Sequence, residues 1–119
     1  MMIGCDIVEI DRIKNAIERH GERFVNRILT QKEMEIFEKK NRSLQFFSGR
    51  FAAKESISKS FKTGIGKELS FKDIEILNGE KGDPIVFIKG ARRKDIEVSI
   101  SHGRDYSIAV SIIKEKEEV

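Results

Sequence analysis

A single cysteine, Cys5, among 119 residues excludes an internal disulfide and cannot by itself form a thiolate metal site. Such a chain reads as reduced and intracellular, and its first nine residues, which carry Asp6 and Glu9 but no basic leader, predict no export signal. No apolar run approaches the ~20 residues of a membrane span, so a soluble, cytoplasmic protein with no membrane partner is expected. Tryptophan is absent and there is one tyrosine, which leaves little for the aromatic platform that binds single-stranded nucleic acid. Charge of a single sign is lacking too: 23 Lys and Arg stand against 20 Asp and Glu, and the net +3 does not demand a polyanionic partner. With one proline, no internal repeat and no low-complexity stretch, little interrupts regular structure.

What the chain does have is dense charge of both signs. Charged residues make 36% of it and hydrophobic ones 39%, enough for one core, so residues 1–119 are read as a single domain. That balance is similar to the ion-pair-rich surfaces of heat-adapted proteins. A chain this long buries only about two-thirds of the surface its unfolded form exposes, so a site wholly inside it would compete with the core for volume. A site at the surface or between subunits is favoured.

Residues 3–10 are β-branched and read as a strand whose period of two puts Asp6 on the side of Val8 and Ile10, with Cys5, Ile7 and Glu9 opposite. Over 11–29 the spacing is helical, with Ile13 and Ile17, then Phe24 and Ile28, one turn apart and a break near Gly21. Thr30-Gln31-Lys32-Glu33 is a capping box, with Leu29 and Met34 as its hydrophobic staple, opening a helix to about residue 40 that buries Met34 and Phe37. A longer helix is predicted over 43–62, with Phe46, Arg50, Ala53, Ile57 and Phe61 as its stripe and Thr63-Gly64-Ile65-Gly66 as its end. The pattern then changes to strands at 71–77, 85–88, 96–101 and 106–113. The first two are joined by a loop, from Asn78-Gly79 to Gly82-Asp83-Pro84, too long for a two-residue hairpin. Residues 114–119 form a charged tail expected to fray. One strand, then helices, then strands predict an α+β fold with an antiparallel sheet packed against helices.

Asp6 stands out, because a carboxylate on an apolar strand face needs a cation, and a salt bridge to one of the many Lys and Arg is the plain alternative to a site. Glu55 lies in Arg50-Phe51-Ala52-Ala53-Lys54-Glu55, where helical geometry puts Phe51, Glu55 and Lys59 on one face and two alanines permit close approach of another segment. A Glu four residues ahead of a Lys is also what any solvated helix face carries. His102 falls in line with Ile96, Val98 and Ile100, as a hydrogen-bonded core histidine or, with Ser99 and Ser101, as a polar rim suited to phosphate oxygens. The Gly64 and Gly66 pair offers backbone N–H groups to an anion, a weak fingerprint without a following helix, and Lys54, Lys59, Lys62 and Lys67 add positive charge around it. Arg12, Lys14, Arg19, Arg23 and Arg27 face only Glu18 and Glu22. If the helix ran through Gly21, Arg19, Arg23 and Arg27 would form a stripe suited to an acidic helix or a nucleic-acid backbone, or simply a solvated face.

Taken in order, five segments carry a resemblance: Gly4-Cys5-Asp6-Ile7-Val8-Glu9-Ile10 with Arg12-Ile13; Arg50-Phe51-Ala52-Ala53-Lys54-Glu55 with Lys59; Thr63-Gly64-Ile65-Gly66; Gly82-Asp83-Pro84; and Ser99-Ile100-Ser101-His102 with Tyr106. From residue 4 to about 110 the chain resembles the holo-[acyl-carrier-protein] synthase family, the small class of 4'-phosphopantetheinyl transferases. The resemblance implies that fold, and transfer of the phosphopantetheine arm of coenzyme A to a serine of apo acyl carrier protein. Adenosine 3',5'-bisphosphate would be released, and the reaction would support fatty acid biosynthesis. It also implies Mg2+ or a similar hard cation, with Asp6 and Glu55 as ligands and diphosphate oxygens and water completing the shell.

On the same footing Glu55, Lys59 and His102 are the implied catalytic residues. Arg50, Lys59, Gly64, Gly66, Pro84, Ser101 and His102 would hold coenzyme A, with Arg50 at its 3'-phosphate. Glu55, Lys59 or a metal-bound water would take the serine proton, and the residues do not choose among them. Acyl carrier proteins are acidic and the family docks them on a basic first helix, which makes Arg12, Arg19, Arg23 and Arg27 the implied docking residues. A homotrimer with coenzyme A between subunits is implied as well. The chain departs from the pattern at Cys5, where an aliphatic residue is commoner, at Ser56 and Ser107 in place of alanine, and at Asp83 in place of lysine before the proline. The other readings are a basic nucleic-acid-binding module and a noncatalytic carrier-protein-binding paralogue whose Asp6 and Glu55 are merely ion-paired.

Overall fold

The computed structural model describes residues 1–61 and 69–114. Strand β1 (Met2–Glu9) runs directly into helix α1 (Ile10–His20), followed by α2 (Glu22–Ile28), α3 (Gln31–Lys39) and α4 (Leu44–Ser60). Strands β2 (Ile74–Asn78), β3 (Pro84–Ile88), β4 (Ala91–Arg92), β5 (Ile96–His102) and β6 (Tyr106–Ile113) complete the chain. Gly21, at φ 62°, separates α1 from α2, so the predicted break is real and helix does not pass through it. Thr30 caps α3 as its sequence requires: the hydroxyl accepts from the Glu33 N–H at 3.3 Å and the Glu33 carboxylate accepts from the Thr30 N–H at 3.0 Å.

Two expectations change. Residues 71–73 form a 3₁₀ turn, with Asp73 accepting from the Ser70 N–H, and β2 starts only at Ile74. The strands also divide into two antiparallel sheets, β1-β6-β5 and β2-β3-β4, instead of one. Positive φ at Lys89 and Gly90 folds the short β4 back onto β3. The following turn, where the Ile96 N–H bonds the Arg93 carbonyl, then releases the chain to pair β5 with β6.

Helix α4 lies across the β1-β6-β5 sheet and is buried on most sides, not along one stripe: Phe47, Ser48, Ala52, Ala53, Lys54, Ser56 and Ile57 are all fully covered. It is surrounded, because α1 packs on it as well as β1, β6, β5 and β2. Small residues set the spacing. A Cβ on Gly4 would lie 2.0 Å from the Ser56 carbonyl oxygen, and Ser111 on β6 bonds the hydroxyls of Ser56 at 2.8 Å and Ser60 at 2.5 Å. One apolar cluster, around Ala52, Ala53, Ile57, Ile76, Val86 and Ala109, fills the space between α4 and the sheets. A second, aromatic cluster around Phe37 and Phe47 binds α4 to α1, α2 and α3. The far face of the large sheet is bare: Ile3 and Ile7 are 60% exposed, with Cys5, Tyr106, Ile108 and Val110 beside them.

Candidate active site

Register fixes where the chemistry sits. On the α4 side of the sheet Asp6 pairs across with Ala109 and Ala109 with Ile100, and α4 covers Ala109, which is fully buried. Asp6 and Ile100 therefore lie on opposite flanks of α4, two strand spacings or about 10 Å apart. The helix crosses from β5, where Gly49 touches Ile100, to β1, where Ser56 and Ser60 meet Gly4.

On the β1 flank Asp6 and Lys59 meet, with Glu55 one helical turn before Lys59. The Lys59 ammonium bonds Asp6 Oδ1 at 2.8 Å and the Cys5 carbonyl at 3.2 Å, so the expected solvated Glu55–Lys59 pair gives way to a cross-element bond. That hydrogen bond raises the Lys59 pKa, against a smaller opposing effect of burial. Glu55 is half-buried and its carboxyl sits above the usual range, chiefly through burial, then through the Asp6 charge, with Lys59 opposing both. Two carboxylates that repel one another beside a single ammonium form a place where added positive charge is favourable. Among the described residues no group of three or more His, Cys, Asp and Glu is arranged to hold a metal ion. A hard cation at Asp6 and Glu55 would thus need further oxygen ligands from water and from a bound ligand, as a hard-cation site shared with phosphate does. The donor set fits that kind of site, and Lys59 occupies Asp6 as its cation here.

On the β5 flank a cleft of about 300 Å³ is lined by Lys40, Ser43, Phe46, Arg50, Ile100 and His102. Arg50 is buried, stacks on Phe46 at 4.6 Å and donates from Nη2 to Asn78 Oδ1 at 3.0 Å, while its Nε has no hydrogen-bond partner among the described residues. Burial lowers its pKa and the Glu33 charge partly restores it. A buried guanidinium with a donor to spare, next to a lysine, a serine and a histidine, is suited to an anion. His102 does continue the row of Ile96, Val98 and Ile100, but at the open end of the strand it is exposed, not a core histidine. It also borders a second hollow, about 430 Å³, with Ser101, Ile7, Tyr106 and Ile108 on the outer face of the sheet. Pro84 is exposed opposite Asn78, the residue that holds Arg50.

The remaining sequence-derived candidates divide. Gly64 and Gly66, with Lys62 and Lys67, lie outside the described residues. Lys54 adds nothing to a surface phosphate site: it is fully buried against Glu33. The arginines make no unbroken stripe, because Gly21 divides them. Arg12 and Arg19 line one depression of about 260 Å³ with Asn15 and Ala16. Arg23 and Arg27 line another of about 350 Å³ whose apolar member is Phe24, and His20 borders both. Sequence reasoning missed Lys40 and Ser43, which the tight turn at Asn41 and Arg42, both at φ 55°, carries to the Arg50 cleft. It also assigned Phe24 to the core alone; a lone aromatic among arginines was the available signal.

A family model of the 4'-phosphopantetheinyl transferase superfamily matches residues 2–111. The holo-[acyl-carrier-protein] synthase of Geobacillus sp. (strain WCH70) is 49% identical over 114 residues, covering 94% of each chain. Among solved structures, a holo-(acyl-carrier-protein) synthase from Bacillus anthracis str. Ames in complex with coenzyme A (3',5'-ADP) superposes with a TM-score of 0.83 at 37% identity, covering 97% of this chain and 96% of that one. The Helicobacter pylori holo-[acyl-carrier-protein] synthase in complex with coenzyme A gives 0.82 at 35% identity, covering 95% and 100%.

Proposed function

The chain belongs to the 4'-phosphopantetheinyl transferase superfamily, among its holo-[acyl-carrier-protein] synthases, and on that premise we propose that it transfers the phosphopantetheine arm of coenzyme A to a serine of apo acyl carrier protein. Adenosine 3',5'-bisphosphate is the second product, Mg2+ is required, and the holo carrier serves fatty acid synthesis in the cytoplasm. No helix among the described residues is long and apolar enough to cross a membrane. The observation that carries the reading is the convergence of Asp6 from β1 with Glu55 and Lys59 from α4, two carboxylates and one ammonium around a single point.

In this reading the serine Oγ attacks the phosphorus that bears the pantetheine arm, the bond from that phosphorus to the bridging diphosphate oxygen breaks, and the bisphosphate leaves with the electron pair. Asp6 and Glu55 would hold the cation, which would supply charge neutralisation at the diphosphate. Lys59 adds a second positive charge there. Glu55, Lys59 or a water on the cation would take the serine proton, all three lying at the point where β1 and α4 converge. Arg50 and His102 bind the 3'-phosphate end, with Lys40 and Ser43 beside them.

Two features support a homotrimer with the site between subunits. The far face of the large sheet exposes Ile3, Ile7, Tyr106, Ile108 and Val110 side by side, a grouping of apolar side chains of the kind that marks an interaction surface. The carboxylate pair and the Arg50 cleft also lie on opposite flanks of α4, so a ligand touching both kinds of group is met by one protomer's Asp6 flank and a neighbour's β5 flank. Arg12, Arg19, Arg23 and Arg27, with Phe24 between the last two, form the docking surface for the acidic carrier.

The test is intact-mass analysis of apo acyl carrier protein incubated with this protein, coenzyme A and Mg2+, with and without EDTA. A gain of one phosphopantetheine that EDTA abolishes is expected. In Asp6→Ala the gain should slow by about 10²-fold or more with the circular dichroism unchanged. No gain with several carriers would overturn the assignment in favour of a noncatalytic paralogue.

A further inference from the structure

Lys54 is the one lysine of α4 turned wholly into the protein, and its ammonium is fully used. Nζ donates to Glu33 Oε1 at 2.5 Å, to the Ile28 carbonyl at 2.6 Å and to the Phe71 carbonyl at 3.0 Å, three acceptors for three protons. Ile28 ends α2, where carbonyls lack helical partners, and Phe71 opens the turn before β2. Glu33 is equally committed: Oε1 also accepts from the Thr30 N–H that begins α3, and Oε2 accepts from the Ile76 N–H of β2 at 2.9 Å. One buried ion pair therefore ties α4 to α2, to α3 and to the small sheet. Neither side chain reaches solvent, and neither belongs to the site.

We propose that Lys54 is a positioning residue that, through Glu33, sets the rotation of α4 and so aims Glu55 and Lys59 at Asp6. The proposal rests on the reading of those three residues as the reacting centre. Its physical basis is the direction of the bonds. Phe47, Ile57 and the Ser111 bonds to Ser56 and Ser60 hold α4 against the large sheet and α1. The Lys54 and Glu33 bonds add fixed directions toward α2, α3 and β2, on the opposite side of the helix from the small residues that face Gly4. A turn of about 15° moves an atom 5–6 Å from the helix axis by about 1.5 Å, and a misplacement of about 1 Å suffices for a loss near 10²-fold in turnover. Arg50 has anchors of its own in Asn78 and Phe46, so the β5 flank should keep its ligand affinity.

The experiment compares wild type with Lys54→Met/Glu33→Gln, which removes both charges of the pair together and in which the glutamine amide can take over part of the bonding to Ile76 and Ile28. Glu33→Asp, which keeps both charges but shortens the tether, is the second variant. Turnover is counted per folded molecule from a urea melt at 25 °C, and Mn2+ affinity is read separately by the electron-spin signal of the free ion. We expect kcat to fall at least tenfold in the double variant and by less in Glu33→Asp, with the KM for coenzyme A within about threefold of wild type and Mn2+ binding weakened in parallel with kcat. A purely structural role would lower the urea midpoint and leave kcat per folded molecule and Mn2+ affinity unchanged, and that result in either variant would overturn the proposal. Absence of transfer by wild type would refute the reading of the reaction instead, and Mn2+ affinity would then still decide whether Lys54 positions the carboxylates.

Discussion

Replacing Gly4 by alanine should cripple this protein through a single methyl group. The new Cβ would stand 2.0 Å from the Ser56 carbonyl oxygen, 2.7 Å from Ser60 Oγ and 2.9 Å from the Ser60 nitrogen. Two of those three atoms are α4 backbone, so no rotamer change relieves the clash. β1 and α4 must part by about 1 Å for the closest contact to become tolerable. That movement strains the Ser111 bonds to Ser56 and Ser60, at 2.8 and 2.5 Å, each worth about 1 kcal/mol. Overpacking of this kind costs about 1–3 kcal/mol by itself, so a total near 3–5 kcal/mol is expected, a large share of the 5–15 kcal/mol that holds an ordinary domain. Function suffers separately, because Asp6 rides on β1 and Glu55 and Lys59 on α4. The assay is a urea melt of Gly4→Ala with turnover measured on the folded fraction, and Gly103→Ala, where a Cβ meets nothing within 4 Å, is the stability control. Wild-type midpoint and turnover in Gly4→Ala would refute the close-approach argument.

Glu55 ties stability to pH. Because its carboxyl is raised above the unfolded value, by burial first and then by Asp6, the folded state holds more protons in the window just above the ordinary carboxylate range, and stability should fall as pH rises through it. Urea melts across that window should show the slope in wild type and a flatter profile in Glu55→Gln, and equal slopes would count against it. At the docking surface, Arg23→Glu should slow association with apo acyl carrier protein about tenfold and reduce its salt sensitivity while leaving the KM for coenzyme A unchanged; an unaltered association rate would remove Arg23 from that surface. On the bare sheet face, if the proposed trimer forms there, Ile7→Glu should give monomers in sedimentation velocity and abolish turnover with the circular dichroism retained, whereas a sedimentation coefficient equal to that of wild type would count against a subunit contact on this face.

The sequence by itself determined the local structure and supplied the candidate reacting groups. Period-two alternation put Asp6 on the covered side of β1, and the Thr30 capping box opened α3 at the residue where it begins, because both are decided by neighbours within a turn or a strand. The Gly21 break was visible for the same reason, as was the ordered set of motifs by which the family was identified. What the tertiary structure alone decided was partnership. Lys54 and Lys59 look alike in sequence, five residues apart on one helix, yet one is sealed against Glu33 and the other bonds Asp6. Their separation follows from which face of α4 meets α2, α3 and β2 and which meets the edge of the sheet. Likewise the division of the strands into two sheets, and the placement of Asp6 and Arg50 on opposite flanks of α4, depend on long-range strand register and on the diagonal path of the helix. A local pattern specifies which way a side chain faces along its own element, but the free energy that selects what it faces is gained only when distant segments close on one another and exclude water.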